Sequence, residues 1–236
     1  MPSSFTVMTV KPAALVMLVL ATACGGAAQP APTPVATPDP PASATTAASP
    51  TQAAAAPGSL TFMVASGSKT IVRVNEQLAD RTLPSDAVLT TEKVSGQFTL
   101  QPDGTFAASS KIVADLSALA SDNRTRDRFI KDNTLETGRF PDATFFPKSV
   151  QGLTLPLPAS GEFTFKLVGQ MTLRGVTKGL TFDVVAVRDS TGLKATAIVI
   201  PTLTFGAFGM EQPSVFSVLS IKDEIRLEVQ LVATGA

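Results

Sequence analysis

From Ser59 onward apolar residues recur at every second position, in one segment after another. A period of two is the mark of strands that turn one face to a core and the other to water. In Glu224–Thr234, "EIRLEVQLVAT", Ile225, Leu227, Val229 and Leu231 alternate with Arg226, Glu228 and Gln230. "GEFTFKLVGQMTL" (Gly161–Leu173) sets Phe163, Phe165 and Leu167 on one face. "GLTFDVVAV" (Gly179–Val187) does the same with Leu180, Phe182, Val184 and Ala186. "TIVRVNEQL" (Thr70–Leu78) and "LKATAIVI" (Leu193–Ile200) extend the series. Lys93–Leu116 reads as a hairpin with Pro102-Asp103-Gly104 as a turn, since Pro fixes φ and Gly accepts φ > 0. Gly169–Phe182 reads as a second hairpin, two strands joined by a tight turn about a centre of Arg174, Gly175, Thr177 and Lys178.

One segment breaks the alternation. Leu116–Leu135, "LSALASDNRTRDRFIKDNTL", is polar and charged and predicts one or two short helices, with Ser121 or Asp122 as cap. The class is therefore all-β. Antiparallel strands of this kind remove their exposed edges by closing into a barrel. About eight strands close around an interior that is either filled or holds one elongated ligand. A β-sandwich, with a core of side chains alone, has the same periodicity.

The residue inventory excludes much chemistry. The chain has no His, one Cys and no Trp or Tyr, while all 14 aromatic residues are Phe. Without His there is no Ser-His-Asp or Cys-His nucleophile, and one thiol cannot build a metal site. Lys+Arg and Asp+Glu both number 19, so the basic footprint of a nucleic-acid binder is missing. Asp115, Asp122 and Asp127 lie close together, but their spacing matches no calcium loop, and they read as caps and surface. No metal site, no catalytic residue and no cofactor is expected.

The N-terminus reads as an address. Lys11 precedes an apolar run from about Pro12 to Ala23, which ends at Cys24. The run is shorter than the ~20 residues of a membrane-spanning helix and has the length of a signal-peptide core. It resembles a bacterial lipoprotein signal over residues 1–24, in which Cys24 would be lipidated. A plain cleaved signal is the alternative. Residues 25–58 are nearly all Ala, Pro, Ser and Thr, with one charge, Asp39. Such a composition predicts a disordered spacer. The folded domain is then residues 59–236.

The hairpin "LVGQMTLRGVTKGLTF" (Leu167–Phe182) resembles the G-x-L-T-I-R-G-V-T-K hairpin of the YceI-like family of bacterial secreted proteins. "NRTRDRFIKDNTLETGRFPDATFFPKSV" (Asn123–Val150) resembles that family's second motif, with Arg126-Asp127, Phe140-Pro141 and Phe145 at the matching places. "FGAFG" (Phe205–Gly209) followed by Val218–Leu231 resembles its closing strands. The resemblance implies an extended lipocalin-like antiparallel barrel around an apolar tunnel. It also implies a polyisoprenoid or quinone as the bound molecule.

On that footing Phe98, Phe106, Phe145, Phe163, Phe165 and Phe182 are the expected tunnel walls, unless they pack into a dry core. Arg126 is expected either to meet a ligand head group at the barrel mouth or to pin the helical segment over it through an ion pair. Arg174 and Lys178 flank the Gly175 turn and are expected at a solvated hairpin tip, the alternative being that they face an anionic head group. The sequence thus predicts an extracytoplasmic binding protein, anchored to a membrane through lipidated Cys24 and carrying an apolar isoprenoid-like ligand. A homodimer is left open. The alternatives are a rigid surface or stress-protective scaffold with a packed barrel, and an enzyme built on carboxylates.

Overall fold

The computed structural model describes residues 56–235. The signal-like segment with Cys24, and the spacer up to residue 55, lie outside the described residues.

Ten strand segments follow one another: β1 (Leu60–Val64), β2 (Lys69–Leu78), β3 (Ser85–Thr91), β4 (Val94–Leu100), β5 (Lys111–Asp115), β6 (Asp142–Gln151), β7 (Gly161–Leu173), β8 (Val176–Asp189), β9 (Gly192–Val199) and β10 (Val218–Gly235). All pair antiparallel, in the order β1-β4-β5-β6-β7-β8-β9-β10-β2-β3, and β1 also pairs with β10. The ring is closed, and it has eight staves. β1 and β2 are one strand interrupted at Ala65–Ser68, and β3 and β4 are one strand interrupted at Glu92–Lys93. Their pairings, Thr70↔Thr91 above the break and Phe62↔Phe98 below it, belong to a single long hairpin. The break in the first strand is stitched by Ser68. Its buried hydroxyl donates to the Ala65 carbonyl (2.8 Å) and accepts from the Val232 amide (2.9 Å), so β10 stays bonded where its partner changes from β2 to β1.

The expected hairpins are present. Lys93–Leu116 holds β4 and β5, paired Val94↔Ala114 to Gln97↔Lys111, and Pro102–Gly104 turns within their connection. β7 and β8 pair along their whole length around the two-residue tip Arg174-Gly175, whose φ values are 50° and 75°. Gly169 is required by contact. A Cβ there would sit 2.3 Å from the Phe145 ring and 2.6 Å from the Phe146 carbonyl. Its bare backbone lets the outer edge of that buried ring come up against β7.

The polar segment before β6 forms α1 (Arg124–Phe129), continued by a π-helical turn over Ile130–Thr134. Its cap is neither Ser121 nor Asp122 but Asn123, whose side chain accepts from the Thr125 (2.9 Å) and Arg126 (3.1 Å) amides. Ser121 instead donates to Asp127 through its hydroxyl (2.6 Å) and its amide (2.9 Å). Asp127 is thereby buried, not a surface residue.

Two apolar clusters line the inside. The larger is built around Phe145, Phe182, Phe205 and Phe208, and the smaller around Phe62, Phe98 and Leu231. Both clusters and the entire closed ladder lie between Leu60 and Gly235, so this stretch carries a complete sheet and its own core, as an independently folding domain does.

Candidate functional site: an apolar cavity closed at one end

The barrel is not filled. A cavity of about 380 Å³ runs along its axis. On β10 its wall extends from Leu231 to Val218, on the order of 40 Å of strand. The volume is therefore elongated.

Five of the six phenylalanines expected as walls line it: Phe98, Phe106, Phe145, Phe165 and Phe182. Phe145 and Phe182 meet edge-to-face at 5.1 Å, and Phe98 and Phe106 at 6.3 Å. Phe163 is a correction: it is half-buried but does not reach the cavity. It shares the inward parity of Phe165, yet it sits two residues nearer the strand end, beyond the cavity's reach. Phe129, Phe205 and Phe208 also line the wall, and the alternation of the strands did not reveal them. They stand on α1 and on the 3₁₀ turn Gly206–Phe208 with its cap, where a period of two has no meaning.

The cavity has one mouth. Among the described residues lining it, only Asn123, Thr125 and Ser217 are exposed, and all three belong to the same end. α1 frames one side of this mouth. The end of β2 and the start of β10 frame the other, joined by a hydrogen bond from the Ala79 amide to the Ser217 carbonyl (3.0 Å). The opposite end is closed: no exposed residue among the described ones lines the cavity there, and the buried rings of Phe62 and Phe98 stack 5.4 Å apart.

Polarity is sorted along the axis. Deep in the cavity only Thr70 interrupts an apolar wall, while Glu76, Asn123, Thr125, Arg126, Thr134 and Ser217 gather towards the mouth. Glu76 occupies an inward position of β2, in step with Val72 and Val74, and is only 5% exposed. It is there because Arg126 reaches down from α1 to meet it, with Nη2 2.6 Å from Oε1. The other arm of the guanidinium binds the exposed Asp122 at 2.7 Å. Arg126 is thus balanced by two carboxylates and ties α1 across the mouth. Its partner is Glu76, fifty residues away in sequence, and not the adjacent Asp127.

The hairpin tip is likewise no free surface. The Arg174 side chain is 15% exposed, binds Glu136 after the π-helical turn, and donates to the Gly209 carbonyl. It clamps the β7–β8 tip to the two elements that surround it, whereas Lys178 stays exposed.

Chemically, this site can hold an elongated apolar molecule with a small polar end. Glu76 is the one acid among the described residues lining the cavity, so no pair of carboxylates faces a common point inside it.

The comparisons agree with this geometry. A family model described as YceI-like domain matches residues 46–233. No curated protein matches the chain in sequence. Among solved structures, a polyisoprenoid binding domain from Saccharophagus degradans, implicated in plant cell wall breakdown, superposes with a TM-score of 0.58 at 13% identity, over 75% of this chain and 99% of that one. BcnA of Burkholderia cenocepacia superposes with a TM-score of 0.53 at 17% identity, over 71% and 96%. The YCEI protein of Campylobacter jejuni gives 0.50 at 18% identity, over 68% and 90%. At these identities the likeness is one of fold.

Proposed function

Because the chain belongs to the YceI-like family, we propose that it is a binding protein which holds one isoprenoid-like chain in its barrel, outside the cytoplasm, and is not a catalyst. The observation that carries this reading is the single-mouthed apolar cavity. Each buried CH₂ is worth ~0.8 kcal/mol, so a chain of about twenty carbons gains roughly 16 kcal/mol gross. Association and ordering consume roughly 4–15 kcal/mol of that. Length and shape then set the affinity, and no strong polar contact is needed. The likeness to a polyisoprenoid binding domain supports the same ligand class.

The head group is neutral in this reading. Glu76 and Asp122 already balance Arg126, so a diphosphate would add a third anion beside one cation. A quinone carbonyl or a hydroxyl fits the Asn123–Thr134 end better. Arg126 acts there by holding α1 over the mouth. Lipidated Cys24 would tether the domain, and residues 25–58 would be its leash. A Cys24→Ala chain that still incorporates labelled fatty acid in cells would disprove the tether.

The test of binding is extraction. Residues 59–236, purified from cells, are analysed by native mass spectrometry, then extracted with organic solvent. A stoichiometric long-chain isoprenoid with a neutral head supports the reading. A protein that is empty and takes up neither a long-chain quinone nor a polyprenol refutes it. Preference for a polyprenyl diphosphate over both would refute the neutral-head part alone.

A further inference from the structure

The mouth carries an outer lip that the binding reading does not use. Phe216 is fully exposed, Leu83 is 75% exposed and Leu219 68%. All three belong to one end of the barrel. Leu83 lies in the β2–β3 turn, and Phe216 and Leu219 flank Val218, which pairs with Leu78 at the start of that turn. Val218 and Leu78 point inward and line the cavity, so the apolar wall continues over the lip onto the outside. Across the same mouth, the outer side of α1 and its continuation present Arg124, Arg128 and Lys131, with the exposed Asp132 and the buried, Ser121-bonded Asp127 beside them, around a shallow polar hollow, so bases outnumber acids there by three to two. Arg124 and Arg128 are exposed and carry no ion pair among the described residues.

We infer that this end of the barrel docks on an anionic lipid bilayer, with Leu83, Phe216 and Leu219 inserted and the Arg124–Lys131 face against the head groups. The inference rests on the proposed ligand class. An apolar chain that leaves the cavity through water would lose the burial that holds it. A mouth seated in lipid lets it pass from one apolar phase to another. Protruding apolar side chains beside clustered Lys and Arg are the chemistry of interfacial membrane binding.

A second copy of this chain is the rival occupant, and area argues against it. Three such side chains offer a patch of roughly 400 Å². A stable dimer takes about 800 Å² from each partner. The proposed tether permits the membrane pose. β1 begins at the sealed end, far from the mouth, but a Pro-rich leash over residues 25–58 reaches on the order of 100 Å. That exceeds the roughly 60 Å of strand between Leu60 and Leu78.

The absence of Trp and Tyr makes the test clean. In residues 59–236, Phe216→Trp places one reporter on the lip, and Val187→Trp places one on the exposed outer wall near the sealed end. Ligand-free phosphatidylglycerol–phosphatidylcholine vesicles should shift the emission of the first to the blue and leave the second unchanged. Phe216→Ser with Leu219→Ser should weaken cosedimentation with these vesicles by about tenfold for each side chain removed. Arg124→Glu with Arg128→Glu should weaken it on the anionic vesicles and not on pure phosphatidylcholine. Unshifted Phe216→Trp emission, or equal shifts at both positions, overturns the inference. So does a blue shift without vesicles that rises with protein concentration, which would assign the lip to a dimer. The readout contains no ligand, so its failure leaves the extraction result standing, and failure of extraction leaves the vesicle result standing.

Discussion

Replacing Arg126 with Met should destabilise the barrel far more than the loss of a surface arginine would. Glu76 is 5% exposed and its carboxylate lies 2.6 Å from the guanidinium, on a strand whose neighbouring inward residues are Val74 and Leu78. Removing the cation leaves a buried charge without a partner. Breaking a fully buried pair in this way costs ~3–5 kcal/mol. The pair stands at the mouth, where water reaches Asn123 and Thr125, so the expected loss is about 2–4 kcal/mol. For a domain of this size each kcal/mol moves the melting temperature by roughly 2–4 °C. The midpoint should fall by about 5–15 °C. Met keeps most of the volume of the arginine stem, so the effect belongs to the charge. The decisive variant is the double change Glu76→Leu with Arg126→Met. It replaces the pair by apolar groups and should recover to within about 1 kcal/mol of the parent, because buried ion pairs do little for net stability. The lost contact to the exposed Asp122 is worth at most ~1 kcal/mol. Urea unfolding of residues 59–236, followed by far-ultraviolet circular dichroism, measures all three proteins. If Arg126→Met costs less than about 1 kcal/mol, or if the double variant is no more stable than the single one, Glu76 is not the buried partner described above.

Ala197→Phe should abolish uptake of a long-chain quinone without loss of stability, because the new ring enters empty space. In a packed core the same change would cost ~1–3 kcal/mol, so calorimetry beside the uptake assay separates the two cases. Arg174→Ala should destabilise by roughly 1–3 kcal/mol, since it frees the hairpin tip from Glu136 and Gly209. Arg174→Asn suits the left-handed φ better and should cost less, and the difference between the two in urea unfolding reads the backbone contribution. Acid should weaken the fold through the outer face of β10, β2 and β3. There the Gln230 amide and then Arg73 hold the Glu228 carboxyl below its usual range, and Arg226 and then Asn75 do the same for Asp86. Both groups stabilise while ionised. Their contribution is present above the ordinary carboxylate range and is lost as pH falls through the lowered values. A melting temperature that drops below about pH 4 in the parent should drop less in Glu228→Gln.

The strands, the two hairpins and the place of the helical excursion were legible because each rests on local pattern. Parity put Ile225, Leu227 and Leu231 inside and Arg226 and Glu228 outside, and the barrel keeps them there. The same parity already carried Glu76 inward beside Val74. An acid at an inward position was the available sign that some cation must come to it, and the charged segment Asn123–Asp132 was the place to look. What could not be read is height along the barrel axis. Alternation gives Phe163 and Phe165 the same face, and only the assembled ring shows that one lies beyond the cavity and the other on its wall. The cap at Asn123 was ambiguous for a different reason. Ser, Asp and Asn stand in a row at 121–123, and each is a good cap; the long-range burial of Asp127, which takes up Ser121, decides among them. Arg174 looked like a solvated tip because its partners, Glu136 and Gly209, are remote in sequence.

The cavity is the property least visible in any segment, since it is a difference between volumes. Rings at Phe145, Phe165 and Phe182 are interleaved on the wall with Ala114, Ala143, Ala195 and Ala197. A barrel of about eight strands fills when large and small residues interdigitate across it. Here the alanines leave the axis open, and the side chains around it lose the dispersion contacts a full core would give. An occupant that restores those contacts binds the folded state alone and stabilises it by RT ln(1 + [L]/Kd), about 2.7 kcal/mol at a hundredfold excess over Kd. Polar groups cannot share in that gain deep in the wall, which is why their confinement to one end matters. In the proposed reading it would give the occupant a direction, tail to the closed end and head to the mouth, and would make the mouth the route by which it enters and leaves.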